Sequence, residues 1–207
     1  MATEQKYISD LTEIRSMMER STRFLSLTGW SGIMAGVYAL AGSYLAYRII
    51  SVEGSELIPL FVPAGERSYL NELLFIAFGV LVFALGTAII LSRLKTKKSG
   101  EKLWNPASRR LVFNLALPLF TGGIFIFILV SKGLTGLIAP VSLIFYGLAL
   151  LNASKFTFEE IKYFGIIEIF IGLIATYYFE YGLFFWALGF GVMHIVYGIY
   201  MHLKYEK

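Results

Sequence analysis

The chain has 207 residues, 57% hydrophobic and 15% charged, with a mean hydropathy of +0.69. Soluble domains carry about 25% charged residues, and here the charges are segregated from long apolar runs, which is the signature of a bilayer-spanning chain. Cysteine is absent, which excludes a disulfide framework, a thiol nucleophile and a cysteine-ligated metal. The net charge of +4 falls in loops beside apolar runs, so membrane orientation accounts for it and nucleic acid is not an expected partner.

Residues 3–23 read as an amphipathic helix. Leu11, Ile14, Met18, Ser21 and Leu25 repeat at three-four spacing, and Asp10, Glu13, Arg15, Glu19, Arg20 and Arg23 lie mostly elsewhere. It can lie on the membrane surface as a lead-in or serve as a docking helix. No apolar core precedes a cleavage site, so the first span is expected to direct insertion itself.

The first span is expected over 24–47. Gly32 and Gly36 form a GxxxG continued by Ala39 and Ser43, a helix-packing face. Residues 48–69 follow as the longest loop. Pro59 and Pro63 argue against a continuous helix there, and Leu57 to Val62 is apolar enough to rest at the interface. The second span is expected over 70–91, with Gly79 and Gly86 on one face.

Residues 92–110 carry Arg93, Lys95, Lys97, Lys98, Lys102, Arg109 and Arg110. This cluster reads first as a positive-inside anchor. An anionic lipid at Arg93, Lys95, Lys97 and Lys98 is a second reading, since each such charge gains about 1 kcal/mol near acidic head groups. Asn105 and Pro106 look like an N-cap and first helical position. The third span, 111–130, holds Pro118, which removes the hydrogen bond to the Asn114 carbonyl. The fourth, 134–151, holds Pro140, which frees the Gly136 carbonyl. Both prolines are expected kinks, and broken helices can line sites in transporters.

Thr157, Phe158, Glu159 and Glu160 read as a capping box that starts the fifth span, 158–179. The sixth runs over 182–202. Tyr177, Tyr178, Tyr181 and Trp186 form an aromatic belt at the turn between them. With the N-terminus inside, fifteen of the eighteen Lys and Arg are cytoplasmic, and only Arg48, Arg67 and Lys132 are outside. The expected fold is therefore all-α: one membrane domain over 1–207, six transmembrane helices in a bacterial inner membrane with both termini cytoplasmic, and the N-terminal amphipathic helix.

The last hairpin carries the chemistry. Gly165, Glu168, Gly172 and Ala175 alternate threes and fours, as do Ala187, Gly191, His194 and Gly198, so each set lies on one helix face. One antiparallel register pairs Gly165 with Gly198, Glu168 with His194, Gly172 with Gly191 and Ala175 with Ala187. Glu168 and His194 then share a depth of about 12 Å from the cytoplasmic ends of their spans. An intramembrane carboxylate needs a partner. The pair reads either as a structural hydrogen bond or as a proton-sensitive site, because an imidazole changes charge near physiological pH.

A repeat runs beneath this pattern. Ile33-Met34, Val37-Tyr38 and Ala39-Leu40 resemble Val192-Met193, Val196-Tyr197 and Gly198-Ile199, and Phe145-Tyr146-Gly147-Leu148 resembles the ends of both.

The acidic pair Glu159-Glu160 is similar to the Glu-Glu motif of intramembrane prenyl-protein peptidases, but only His194 and His202 are available as histidines. No Gly-x-Ser-x-Gly elbow, HExxH or phosphate loop occurs. The expectation is no catalytic residue, no metal site and no cofactor. The overall plan resembles small uncharacterised six-helix bacterial membrane proteins, and the hairpin over 165–198 resembles the repeated hairpins of bacterial acid-resistance membrane proteins. That likeness is one of glycine and aliphatic spacing and transfers no functional residue.

Two function classes stay open. One is a small-solute or proton-responsive transporter with a polar site of Glu168, His194, Asn114 and Tyr197 and a cavity between spans 3, 5 and 6. The other is a non-transporting accessory or scaffold protein. It would bind a second copy or a membrane partner through residues 3–23 and the faces that carry Gly32, Gly36, Gly165, Gly172, Gly191 and Gly198.

Overall fold

A computed structural model of the chain describes residues 7, 23–52, 58–63, 68–100 and 102–206. The amphipathic helix expected over 3–23 lies almost wholly outside the described residues. Most of the described residues are helical, with no strand among them. The helices are α1 (Gly29–Val52), α2 (Ser68–Ser99), α3 (Pro106–Lys132), α4 (Ile138–Ala153), α5 (Glu160–Tyr177), α6 (Gly182–Trp186) and α7 (His194–Tyr205). A 3-10 turn, Thr135–Leu137, leads into α4, and a π-helical segment, Ala187–Met193, joins α6 to α7 without a break. Five helical stretches are long and apolar enough to cross a membrane, the make-up of a membrane protein. α5 is apolar too but carries Glu160, Lys162 and Glu168 in its 18 residues.

The helix ends explain where these bounds differ from the periodicity. α1 begins at Gly29, five residues later than expected, because the chain before it is held by hydrogen bonds other than helical ones. The Phe24 N–H donates to the Phe156 carbonyl at 2.7 Å, and the Phe24 carbonyl accepts from the Thr157 hydroxyl at 2.8 Å. Thr28 then caps the new helix, its hydroxyl accepting from the Ser31 N–H at 3.2 Å. Thr157 is therefore no capping-box residue: its hydroxyl serves Phe24, and no side chain caps α5. Asn105 does cap α3. Its Oδ1 accepts from the Ser108 N–H, the Ser108 hydroxyl accepts from the Asn105 N–H, both at 2.8 Å, and Pro106 fills the first helical position.

The two prolines part company. Pro118 lies inside α3, and the Asn114 carbonyl it frees accepts from Asn152 Nδ2 of α4 at 3.0 Å. Pro140 lies in the first turn of α4, not in a helix interior as expected, and a missing N–H costs little there.

Small residues set the packing. α5 lies against α4 through Gly165 and Gly147, where a Cβ on either glycine would come within 2.7 Å of the other's carbonyl oxygen. α7 and the π segment lie against α1: a Cβ on Gly36 would come 2.5 Å from the Gly191 carbonyl oxygen, and one on Gly198 would come 2.5 Å from the Ile33 nitrogen. The expected pairing of Gly165 with Gly198 and Gly172 with Gly191 does not occur. Gly172 faces Ile144 and Pro140 of α4, and Gly191 faces Leu40 of α1. α3 packs chiefly on α4, and α2 on α1.

One end of the bundle gathers the lysine-rich links. There Phe24 packs with Ala107, Leu111 and Ala153, Lys95 donates to the Leu27 carbonyl at 3.0 Å, and the Gly29 N–H donates to Glu206 at 2.9 Å. At the other end residues 58–63 do not merely rest at an interface. The Val62 N–H donates to the Gly133 carbonyl at 2.9 Å, the Ile58 N–H to the Glu180 carbonyl at 3.2 Å, and Val62 is buried.

Candidate functional site

Glu168 sits in the middle of α5, and its side chain has no exposed surface. Neither carboxylate oxygen has a hydrogen-bond partner. Oε1 lies 4.0 Å from His194 Nδ1, beyond hydrogen-bond reach. A buried carboxylate without donors is costly, so this is the most unusual polar group among the described residues.

The π segment brings the pair together. Gly189 lies against the carboxylate: a Cβ there would come 2.5 Å from Glu168 Oε2 and 2.5 Å from Leu143 Cδ2. The Gly189 carbonyl accepts from His194 Nδ1 at 3.1 Å. A carbonyl can only accept, so Nδ1 carries the hydrogen. Nε2 of the neutral ring is then the acceptor for the Tyr146 hydroxyl of α4, at 2.7 Å. π-helical turns are rare and concentrate at functional sites.

Aromatic rings enclose the imidazole. Tyr146 stacks on it at 5.3 Å between centroids, Phe164 of α5 meets it edge-on at 4.8 Å, and Phe190 lies at 5.9 Å. Phe164 also stacks on Tyr197 at 4.7 Å with the planes 7° apart. The Tyr197 hydroxyl is buried without a partner.

The register and the face of the last hairpin thus come apart. Glu168 faces His194, Phe164 faces Tyr197, and Glu160 meets Lys204 and Tyr205, whose hydroxyl donates to it at 2.7 Å. These contacts follow the expected antiparallel register. The glycines, about 40–60° around each helix from the polar residues, turn to α4 and α1 instead. Rings rather than glycines fill the space between α5 and α7.

Asn114 does not join this site. Its Nδ2 donates to the Arg110 carbonyl at 2.8 Å and its carbonyl accepts from Asn152. The site lies between α4, α5 and the π segment that leads into α7, not between spans 3, 5 and 6 as expected. Tyr146, Phe164 and Gly189 were not singled out from the sequence as site residues. The one signal for Tyr146 is its Tyr-Gly step, shared with Tyr197-Gly198 in the repeat. Among the described residues no cluster of His, Asp and Glu could hold a metal ion. No protein-family model matches the chain, and no curated protein or solved structure is significantly similar to it.

Proposed function

We propose that this is a proton-responsive membrane protein, a transporter or sensor, in which Glu168 takes up and releases the proton. The observation that carries the reading is a fully buried carboxylate with no hydrogen-bond donor, 4.0 Å from a histidine. Gaining a proton removes the buried charge, and His194 is placed to pass one on through a ring held at both nitrogens. Ionisable groups inside a bilayer commonly mark proton relays. The protein sits in this reading in a bacterial inner membrane with six spans and the lysine-rich face cytoplasmic. A reporter near Gly100 should then report cytoplasm, and a periplasmic signal there would overturn the orientation. The functional test is reconstitution in liposomes that enclose a pH-sensitive dye. The wild type should show pH-dependent proton uptake or proton-linked flux that Glu168→Gln abolishes, and equal behaviour of the two would refute the reading.

A second reading, a membrane scaffold, is favoured by α2. None of its most apolar stretch is buried, Phe75, Phe78 and Phe83 are exposed, and nothing lies within 4 Å of a Cβ placed on Gly79 or Gly86. Lipid or a second membrane protein would cover that face. The anionic-lipid reading narrows to the exposed Arg93, Lys97 and Lys98, because Lys95 is engaged with Leu27 and Glu206.

A further inference from the structure

Four buried side-chain oxygens among the described residues lack a hydrogen-bond partner: both of Glu168, Oε2 of Glu160 and the hydroxyl of Tyr197. All four belong to side chains of the α5–α7 seam. Glu160, Phe164 and Glu168 follow one another at i, i+4 and i+8 on α5, and His194, Tyr197 and Lys204 face them from the sixth span. Beside that seam stands Tyr146 of α4, bonded to His194 and edge-on to Phe164, the ring that stacks on Tyr197. Tyr197 lies on Phe164, one turn along α5 from Glu160. Glu160 in turn is tied to Lys204 and Tyr205, which are exposed at the lysine-rich face.

We infer that Glu160, Tyr197, Tyr146 and His194 form a one-sided proton path that connects the lysine-rich face to Glu168, with the Lys204–Glu160–Tyr205 cluster as its mouth. The inference rests on the reading of Glu168 as the proton-accepting group and adds the route. Phe164, stacked on Tyr197 and edge-on to His194, walls the path on the α5 side. The path requires ordered water between the Glu160, Tyr197 and Tyr146 oxygens, the steps that no side chain spans.

The transfer balances without electron movement. A proton that reaches the Tyr146 oxygen displaces that hydroxyl's own proton onto His194 Nε2. The Nδ1 proton then passes to a Glu168 oxygen. Tyr146 ends as a neutral phenol, the imidazole changes from its Nδ1–H to its Nε2–H form, and Glu168 becomes a carboxylic acid. The reverse sequence releases the proton and restores the starting tautomer. The groups that bear on this titration are His194 facing Glu168, Tyr146 bonded to His194, and Lys204 and Tyr205 facing Glu160.

The test is time-resolved infrared spectroscopy of the full-length protein in lipid nanodiscs after a pH jump from a caged proton. The carboxylic-acid stretch of Glu168, assigned by its loss in Glu168→Gln, reports the arrival of the proton. Tyr197→Phe and Tyr146→Phe each remove one oxygen and keep the ring. Both should slow the arrival about a hundredfold or more, the lower end of what a positioned proton-transferring group contributes, with the final amplitude unchanged. Tyr38→Phe, whose hydroxyl pairs with Thr87 on the α1–α2 seam at 3.2 Å, should match the wild type. Tyr197 has no hydrogen bond to lose, so its variant keeps the test decisive should Tyr146→Phe unfold. Wild-type rates in Tyr197→Phe would overturn the path and leave Glu168 as the proton site. Absence of any titrating Glu168 band in the wild type would overturn that reading and the path with it.

Discussion

Tyr146 and His194 meet across α4 and α7 at 2.7 Å, and this bond fixes the imidazole whose other nitrogen looks toward Glu168, 4.0 Å away. The two histidine contacts differ in kind. The tyrosine contact is a hydrogen bond; the glutamate contact is an approach without one. That difference makes the two halves of the site respond oppositely to deletion.

Glu168→Leu removes a buried group that has no donor to lose, so it should leave stability unchanged or raise it. His194→Leu strands the Tyr146 hydroxyl and should cost about 1–3 kcal/mol. Thermal unfolding in detergent measures both. A Glu168→Leu loss as large as that of His194→Leu would mean the carboxylate has a partner after all.

Why the sequence carried some of this and hid the rest is a matter of what each signal specifies. Charge inside an apolar run is costly, so Glu168 and His194 stood out, and the register that matches their depths follows from helix geometry alone. A stripe of glycines marks a close approach but does not name the neighbour. Their spacing sets Gly165 against Gly198, whereas in the fold they face Gly147 and Ile33. Tyr146 was no more conspicuous than any tyrosine in an apolar span, because its role exists only once α4 lies beside α7. The π segment has no sequence signature beyond its small residues. At Thr157 two uses of one hydroxyl competed, and the long-range bond to Phe24 won over the local cap.

The glycines should separate by neighbour. Gly165→Ala places a Cβ 2.7 Å from the Gly147 carbonyl oxygen, a backbone atom that cannot rotate away, and should cost about 1–3 kcal/mol. Gly79→Ala and Gly86→Ala meet nothing within 4 Å and should be neutral or stabilise by up to about 1 kcal/mol through helix propensity. Unfolding midpoints of the three variants in one detergent check the contrast. A destabilised Gly79 or Gly86 variant would show that a partner covers α2.

Gly189→Ala probes the site from the π segment. The added methyl group meets Glu168 Oε2 and Leu143 Cδ2, both on fully buried side chains. It should destabilise by about 1–3 kcal/mol. In Glu168→Ala the carboxylate is gone and the penalty of Gly189→Ala should shrink. Equal penalties in the two backgrounds would place the clash elsewhere.

Thr157→Val keeps the shape and removes the hydroxyl that serves the Phe24 carbonyl. The expected loss is about 1–2 kcal/mol, with faster proteolysis near Phe24 as the lead-in to α1 loosens. Unchanged proteolysis would show that the Phe24–Phe156 backbone bond alone holds this segment.

As the proton site, Glu168 should exchange a proton within the working pH range of the protein. Equilibrium infrared difference spectra of the nanodisc-embedded protein, recorded as pH is lowered stepwise, test it most directly. A carboxylic-acid stretch should appear at the high frequency typical of an acid without strong hydrogen bonds. It should grow as pH falls, vanish in Glu168→Gln and shift its midpoint in His194→Gln. Identical spectra for the wild type and Glu168→Gln at every pH would contradict it.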